Sequence, residues 1–293
     1  MRAKQKADFI AYCRKLGDSK RSPNTRAVWS NAIRRFEDFA RGPIQFASVN
    51  HSFLQAFREY LLLNLNTNSA LVYLARIKTA CRQAAKDGIF VRNPALDVSI
   101  KKQTTRREFL TLDELRKLAA TPCANLSTKA GFLFSAFSGL RYSDVKALRW
   151  TQIREANGSC YVEYTAAKTG EPETLPLSDE ATAILKEQKK ASVSPRIRSR
   201  VASDAVFKLG AQQTIDKAIR RWVKRAGITK KISFHNARHT FATLSLTSGV
   251  DIYTVSKLLG HRSLETTEIY AKLVDEKKRQ AVELLPRLKH RRQ

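Results

Sequence analysis

A break in hydrophobic periodicity divides this chain in two. From Val98 to Phe109 the apolar stripes of the first hundred residues stop, and the chain reads SIKKQTTRREF, polar and basic throughout. Such a stretch has no face to bury, so it reads as a linker lying along a phosphate backbone. The expected organisation is a first domain over residues 1–98, a linker over 99–108 and a second domain over 109–293. Each domain is long enough to bury its own core.

The first part reads as helices. Ser22 followed by Pro23 is a helix start, and Val28, Trp29, Ala32, Ile33, Phe36 and Phe39 then recur on one face until Gly42 and Pro43 end the run. Phe53, Leu54, Phe57, Tyr60 and Leu61 supply the apolar face of a second helix, and Leu71, Leu74, Ile77, Cys81 and Ala84 that of a third before Gly88. These stripes are read as core, so their aromatic residues need no other role.

The second part is mixed. Thr111 or Asp113 can cap a helix running to Ala120, and an apolar helix is predicted from about Ser127 to Phe137. In SCYVEYTAAKTGEPETLPL the helical period fails. Two β-prone runs, Cys160–Thr165 and Thr174–Leu177, flank a turn rich in Lys, Gly and Pro, the pattern of a β-hairpin. Helices resume near Asp179, and a basic loop is expected over Lys189–Arg200. The fold class is therefore mainly α with a small β-hairpin or sheet in the second domain.

Charge points to the partner. Fifty-four Lys and Arg stand against 26 Asp and Glu, a formal net charge of +28, of which residues 1–100 carry +10. Basic charge in both parts suits two domains on one polyanionic backbone. No stretch approaches the roughly 20 apolar residues of a membrane span, and the first residues have no apolar run like a signal peptide's, so a cytoplasmic protein is expected. Cys13, Cys81, Cys123 and Cys160 are scattered without C-x-x-C or zinc spacing, which suggests neither disulfides nor a metal site.

Three segments carry chemistry: SGLRYSDV at 138–145, HNARHTFATL at 235–244 and LLGHRSLETTEIY at 258–270. Their order and spacing resemble the tyrosine recombinase (phage integrase) family, whose catalytic domain has an Arg with a carboxylate three residues on, then H-x-x-R, then a G-H block with a Tyr nine residues after its His. The resemblance covers roughly residues 108–285, and the helical first hundred residues fit the family's core-binding domain. It implies a two-domain DNA clamp and a site-specific recombinase that cuts and rejoins DNA through a 3′-phosphotyrosine, for integration, excision, inversion or resolution. By the resemblance the catalytic residues are Arg141, Lys168, His235, Arg238, His261 and Tyr270.

The residue types suit the reaction. Attack on a phosphodiester builds negative charge on the nonbridging oxygens, so a site without metal needs fixed cations there. Arg141 and Arg238 fit, because a guanidinium stays charged and donates two parallel hydrogen bonds to one phosphate. Asp144, three residues beyond Arg141, is read as orienting an Arg or capping a helix. A tyrosine hydroxyl, with a pKa near 10, needs its proton removed or its anion stabilised as it attacks. His235 resembles the family's base, His261 its donor to a phosphate oxygen, and Lys168, at the hairpin tip, its mobile acid for the leaving 5′ oxygen. Tyr253, Tyr161 and Tyr164 are rivals to Tyr270, but only Tyr270 has the family's distance from His261. His239 is expected to pack or to hydrogen-bond within its helix.

No G-x-x-x-x-G-K-[ST] loop, H-E-x-x-H or calcium-loop pattern occurs, and no cofactor is expected. The partner implied is double-stranded DNA with inverted-repeat core sites, bound by a tetramer on paired sites, with room for accessory DNA-bending or directionality proteins. Leu273, Val274, Ala281, Val282, Leu284 and Leu285 suggest an amphipathic C-terminal helix, which either covers its own domain or docks on a neighbouring protomer. The chain begins almost directly with the helical domain, whereas many integrases of mobile elements carry an arm-binding domain first; a short enzyme or a fragment fits equally. Two other functions stay open: a relaxing enzyme like the type IB topoisomerases, and a catalytically silent DNA-binding regulator.

Overall fold

The computed structural model describes residues 6–104, 107–168, 170–193, 204–261 and 263–271, and the chain forms two compact units, Met1–Thr105 and Arg106–Gln293. Among the described residues four α-helices make the first: α1 (Phe9–Asp18), α2 (Pro23–Ala40), α3 (His51–Asn64) and α4 (Thr67–Lys86). Each starts on a residue whose side chain takes an otherwise unpaired first-turn N–H, namely Asp8, Ser22, Asn50 and Asn66. Their apolar faces meet in one core, where Phe9, Phe36, Phe46, Phe53 and Phe57 pack mostly edge to face. The second and third predicted stripes coincide with α3 and α4.

The second unit is larger and mixed. It holds α5 (Leu112–Ala120), α6 (Leu126–Ser138) and α7 (Tyr142–Ala147), then strands β1 (Ile153–Ala156), β2 (Ser159–Thr165) and β3 (Pro172–Pro176). Next come α8 (Asp179–Val193), α9 (Gln212–Arg225), α10 (Phe234–Thr247), α11 (Ile252–Leu258) and α12 (Glu265–Ala271). Thr111 closes a full capping box with Glu114, which settles the choice between Thr111 and Asp113. Phe132, Phe134, Phe207, Trp222 and Phe234 lie at the centre of its main core, and Ala242, Leu246, Val255, Leu259 and Tyr270 form a smaller cluster between α10, α11 and α12.

The sheet differs from the expected hairpin by one strand. It is three-stranded and antiparallel in the order β1-β2-β3, with Ile153 opposite Val162 and Val162 opposite Leu175. Asn157 and Gly158, both at positive φ, make the tight turn from β1 to β2, as a twisted hairpin requires. Helix α8 also runs on through Lys189, where a loop was expected. The rest of that loop and the predicted C-terminal helix lie outside the described residues. Among the described residues no helix is long and apolar enough to cross a membrane.

Candidate active site

Two helix ends build the cationic floor of the site. Helix α6 ends at Gly139, whose left-handed backbone (φ 72°) turns the chain sharply toward α10. A Cβ here would stand 2.7 Å from the Phe241 ring, so only glycine permits the approach. The approach brings the Gly139 carbonyl to Arg238, which donates from Nη1 at 2.8 Å and from Nη2 to the Leu259 carbonyl at the end of α11. Arg141, half-buried at the N-terminal cap of α7, donates from Nη2 to the Gly260 carbonyl at 3.4 Å. Both guanidiniums are thus held by backbone carbonyls, and none of the ion pairs among the described residues includes either.

Burial is what the carbonyls offset. Arg238 is only 3% exposed, and burial followed by repulsion from Arg141 brings its pKa down to about 10, which leaves it charged at neutral pH. Asp144 behaves differently from either sequence reading. Its Oδ1 accepts from the Ala167 N–H at 3.0 Å, so this buried carboxylate anchors the tip of the β2–β3 hairpin beside Lys168. Lys168 itself is exposed in that turn, close enough in charge to act on both His235 and His261.

The histidines are neutral near pH 7. His235 shows surface to solvent, yet crowding of its ring, then the charges of Arg238, Arg107, Arg141 and Lys168, push its pKa down. His261 is lowered to about 4 by burial and then by Arg238 and Arg141. Its Nδ1 lies 2.8 Å from Oγ1 of Thr267, a fully buried side chain on α12. With the hydroxyl donating to Nδ1, the neutral ring carries its proton on Nε2 and remains a donor there.

Tyr270 sits on α12, 2% exposed, with its hydroxyl 2.7 Å from Nδ1 of His239. Burial raises its pKa, while Arg107, Arg238 and Arg141 pull the other way. Tyr253, 61% exposed on α11 under Lys257, lies apart from these groups. Tyr164 is no ordinary strand residue: burial, then Asp144 and Glu173, drive its pKa up to about 12, and it lies within electrostatic reach of Arg238 and Arg141.

The six residues expected from the sequence, Arg141, Lys168, His235, Arg238, His261 and Tyr270, therefore share one electrostatic neighbourhood. Two more belong to it. His239, expected to pack or to hydrogen-bond within its helix, instead meets Tyr270 of α12, and its position four after His235 puts both rings on one face of α10, 4.4 Å apart. Arg107 lies in the basic linker, where no sequence signal separates it from its neighbours.

The Phage integrase family matches residues 108–277, and the Phage integrase SAM-like domain matches residues 8–103. The chain is 28% identical over 292 residues to a tyrosine recombinase of Thermosipho africanus, covering 95% of this chain and 97% of that one. Among solved structures it is similar to the Tn1549 transposon integrase in complex with circular intermediate DNA, with a TM-score of 0.76 and 16% identity over 94% of this chain and 99% of that one. It is also similar to a lambda integrase tetramer bound to a Holliday junction, with a TM-score of 0.69 and 19% identity over 90% and 77% of the two chains.

Proposed function

The chain belongs to the phage integrase family, and from that premise we propose that it is a site-specific recombinase that cleaves and rejoins DNA with Tyr270 as its nucleophile. The observation that carries the assignment of roles is the pairing of a buried tyrosine with two carbonyl-anchored guanidiniums and neutral histidines in one neighbourhood. A phosphodiester placed there meets fixed positive charge before reaction, so little reorganisation is required as charge builds.

In the proposed sequence Arg141 and Arg238 bind the nonbridging oxygens of the scissile phosphate, and His261 donates to one of them from Nε2. The Tyr270 oxygen attacks phosphorus while neutral His235 accepts the phenolic proton. The bond to the 5′ oxygen breaks, Lys168 protonates that oxygen, and the strand is held as a 3′-phosphotyrosine. A 5′ hydroxyl from a partner strand then attacks the same phosphorus, regenerates Tyr270 and seals the exchanged strand. One phosphodiester replaces another at each step, so no nucleotide is consumed.

The first unit serves as the core-binding domain over residues 1–98, joined by the linker at 99–108 to a catalytic domain over 109–293. The substrate is duplex DNA bearing inverted-repeat core sites, acted on in the cytoplasm, with four protomers on two paired sites. The tetrameric assembly of lambda integrase supports that stoichiometry, and the net charge of +28 supports the duplex.

A nicked suicide duplex tests the reading. Wild-type protein should leave a covalent adduct on a denaturing gel, and Tyr270→Phe should bind the same site but leave none. An adduct that survives in the variant places the nucleophile elsewhere. Strand exchange between two duplexes then separates a recombinase from a relaxing enzyme.

A further inference from the structure

The proposed sequence leaves unexplained what aims the Tyr270 hydroxyl. A phenol turns freely about its Cα–Cβ and Cβ–Cγ bonds, and an oxygen misplaced by about 1 Å can lose roughly 10²-fold in rate. In this chain the oxygen is not free. Nδ1 of His239 lies 2.7 Å from it, the two rings stand 5.4 Å apart, and both side chains are at least nine-tenths buried.

We propose that His239 is a further catalytic residue, which accepts the Tyr270 O–H and fixes the attacking oxygen. This rests on the reading of Tyr270 as the nucleophile. Three observations support it. The first is the identity of the acceptor. His239 is held neutral, its pKa down to about 3, by burial and then by His235, Arg107, Arg238 and His261. A neutral imidazole with its proton on Nε2 has its lone pair on Nδ1, facing the phenol. The same surroundings make His239 a poor final home for a proton, so it holds the O–H before reaction, and as attack begins that O–H turns to His235, whose exposed edge passes the proton to solvent.

The second is the spacing. His235 and His239 are one turn apart on α10 with rings in edge contact, so the residue that aims the hydroxyl and the residue that takes its proton are carried by one rigid element. The third is Arg107. Its charge acts on His239 and, against the effect of burial, favours the tyrosinate at Tyr270. Arg107 lies in the irregular stretch that leads into α5, where the Glu108 carbonyl accepts from Asn236 of α10 at 2.7 Å and the Phe109 carbonyl from Lys230 at 3.0 Å. The linker's last residues are therefore tied to the helix that bears both histidines.

The test is single-turnover cleavage of the nicked suicide duplex at saturating protein, with half-site affinity and thermal melting measured on the same samples. His239→Phe keeps a ring of similar volume but no acceptor, and should lose about 10²-fold in cleavage with affinity and melting unchanged. His239→Asn, whose amide oxygen occupies the place of Nδ1, should recover about tenfold of that loss. Arg107→Gln should make cleavage rise more steeply with pH than in the wild type, because less charge then favours the tyrosinate. Cleavage by His239→Phe at or above the wild-type rate overturns the inference, as does equal loss in the Phe and Asn variants, which would mark a packing role. In either case Tyr270→Phe without adduct leaves the nucleophile standing, so the two readings fail separately.

Discussion

Replacing Arg238 by Lys keeps a positive charge and removes the fork, and the surroundings of Arg238 set the size of the effect. The guanidinium holds the carbonyls of Gly139 and Leu259 from two different turns. An ammonium on a shorter stem reaches one of them, and the other carbonyl is left buried and unpaired at a cost of about 1 to 3 kcal/mol in stability. At the phosphate a bidentate contact becomes a single one. Loss of one charge-assisted hydrogen bond, about 1.5 to 3 kcal/mol, slows cleavage roughly 10- to 10²-fold.

A second effect separates charge from geometry. Burial and Arg141 carry even a guanidinium from 12.5 to about 10, and the same environment acting on a lysine, which starts lower, pushes its pKa down in the same direction. A lowered folded pKa means that the cation is present below it and is lost as pH rises through it. The lysine variant should therefore lose further cleavage as pH rises above neutrality, over a range where wild-type Arg238 keeps its charge. Single-turnover adduct formation across that range reads both effects at once. A variant that cleaves at the wild-type rate, or whose alkaline limb matches the wild type, would refute the assignment of Arg238 to the phosphate.

Other outcomes follow from the same geometry. Lys168→Ala should slow cleavage by about 10²-fold or more, and a duplex whose leaving 5′ oxygen is sulfur should recover most of that loss, since a thiolate leaves without a proton; no selective recovery would exclude Lys168 as the acid. Gly139→Ala forces a left-handed alanine against Phe241 and should lower stability by about 2 to 5 kcal/mol, read as a falling melting temperature; an unchanged melt would contradict the close approach of α6 and α10. Removing residues 278–293 should spare half-site binding while weakening cooperative assembly and strand exchange in gel-shift and recombination assays, and normal exchange would make the tail a local cover.

Local chemistry was readable where a single residue decides it. The stripe from Val28 to Phe39 and the Ser22 cap mark α2, and Thr111 with Glu114 marks α5. The missed strand β1 had a signal too: Asn157-Gly158 is a hairpin turn, but IREA is short and mostly exposed, so its burial pattern shows no alternation. Helix α1 was equally legible in Asp8, Phe9, Ile10 and Cys13, a cap followed by one apolar face. What no local pattern holds is contact across the chain. His239 meets Tyr270 over 31 residues, and Asp144 meets the Ala167 N–H over 23. The spacing of His235 and His239 placed two rings on one face; only the packing of α12 against α10 shows what that face holds.

The carbonyl anchors explain how two guanidiniums, one of them almost fully buried, persist without carboxylate partners. A carboxylate would also offset the cost of burial, but it would cancel the charge that a phosphate is meant to meet, and displacing it would oppose binding. Carbonyls at helix C-termini are a partial solution by design of the backbone: each accepts hydrogen bonds, and the negative ends of α6 and α11 favour a cation there without neutralising it. The buried acid in this neighbourhood follows the same logic. Asp144 directs Oδ1 to a backbone N–H of the hairpin tip, and its Oδ2 is buried without a hydrogen-bond partner. It positions the turn that carries Lys168 and acts on Arg238 through its charge without a direct ion pair, so the left-handed Gly139 and the turn at Leu259–Gly260 are as much a part of this cationic floor as the arginines they hold.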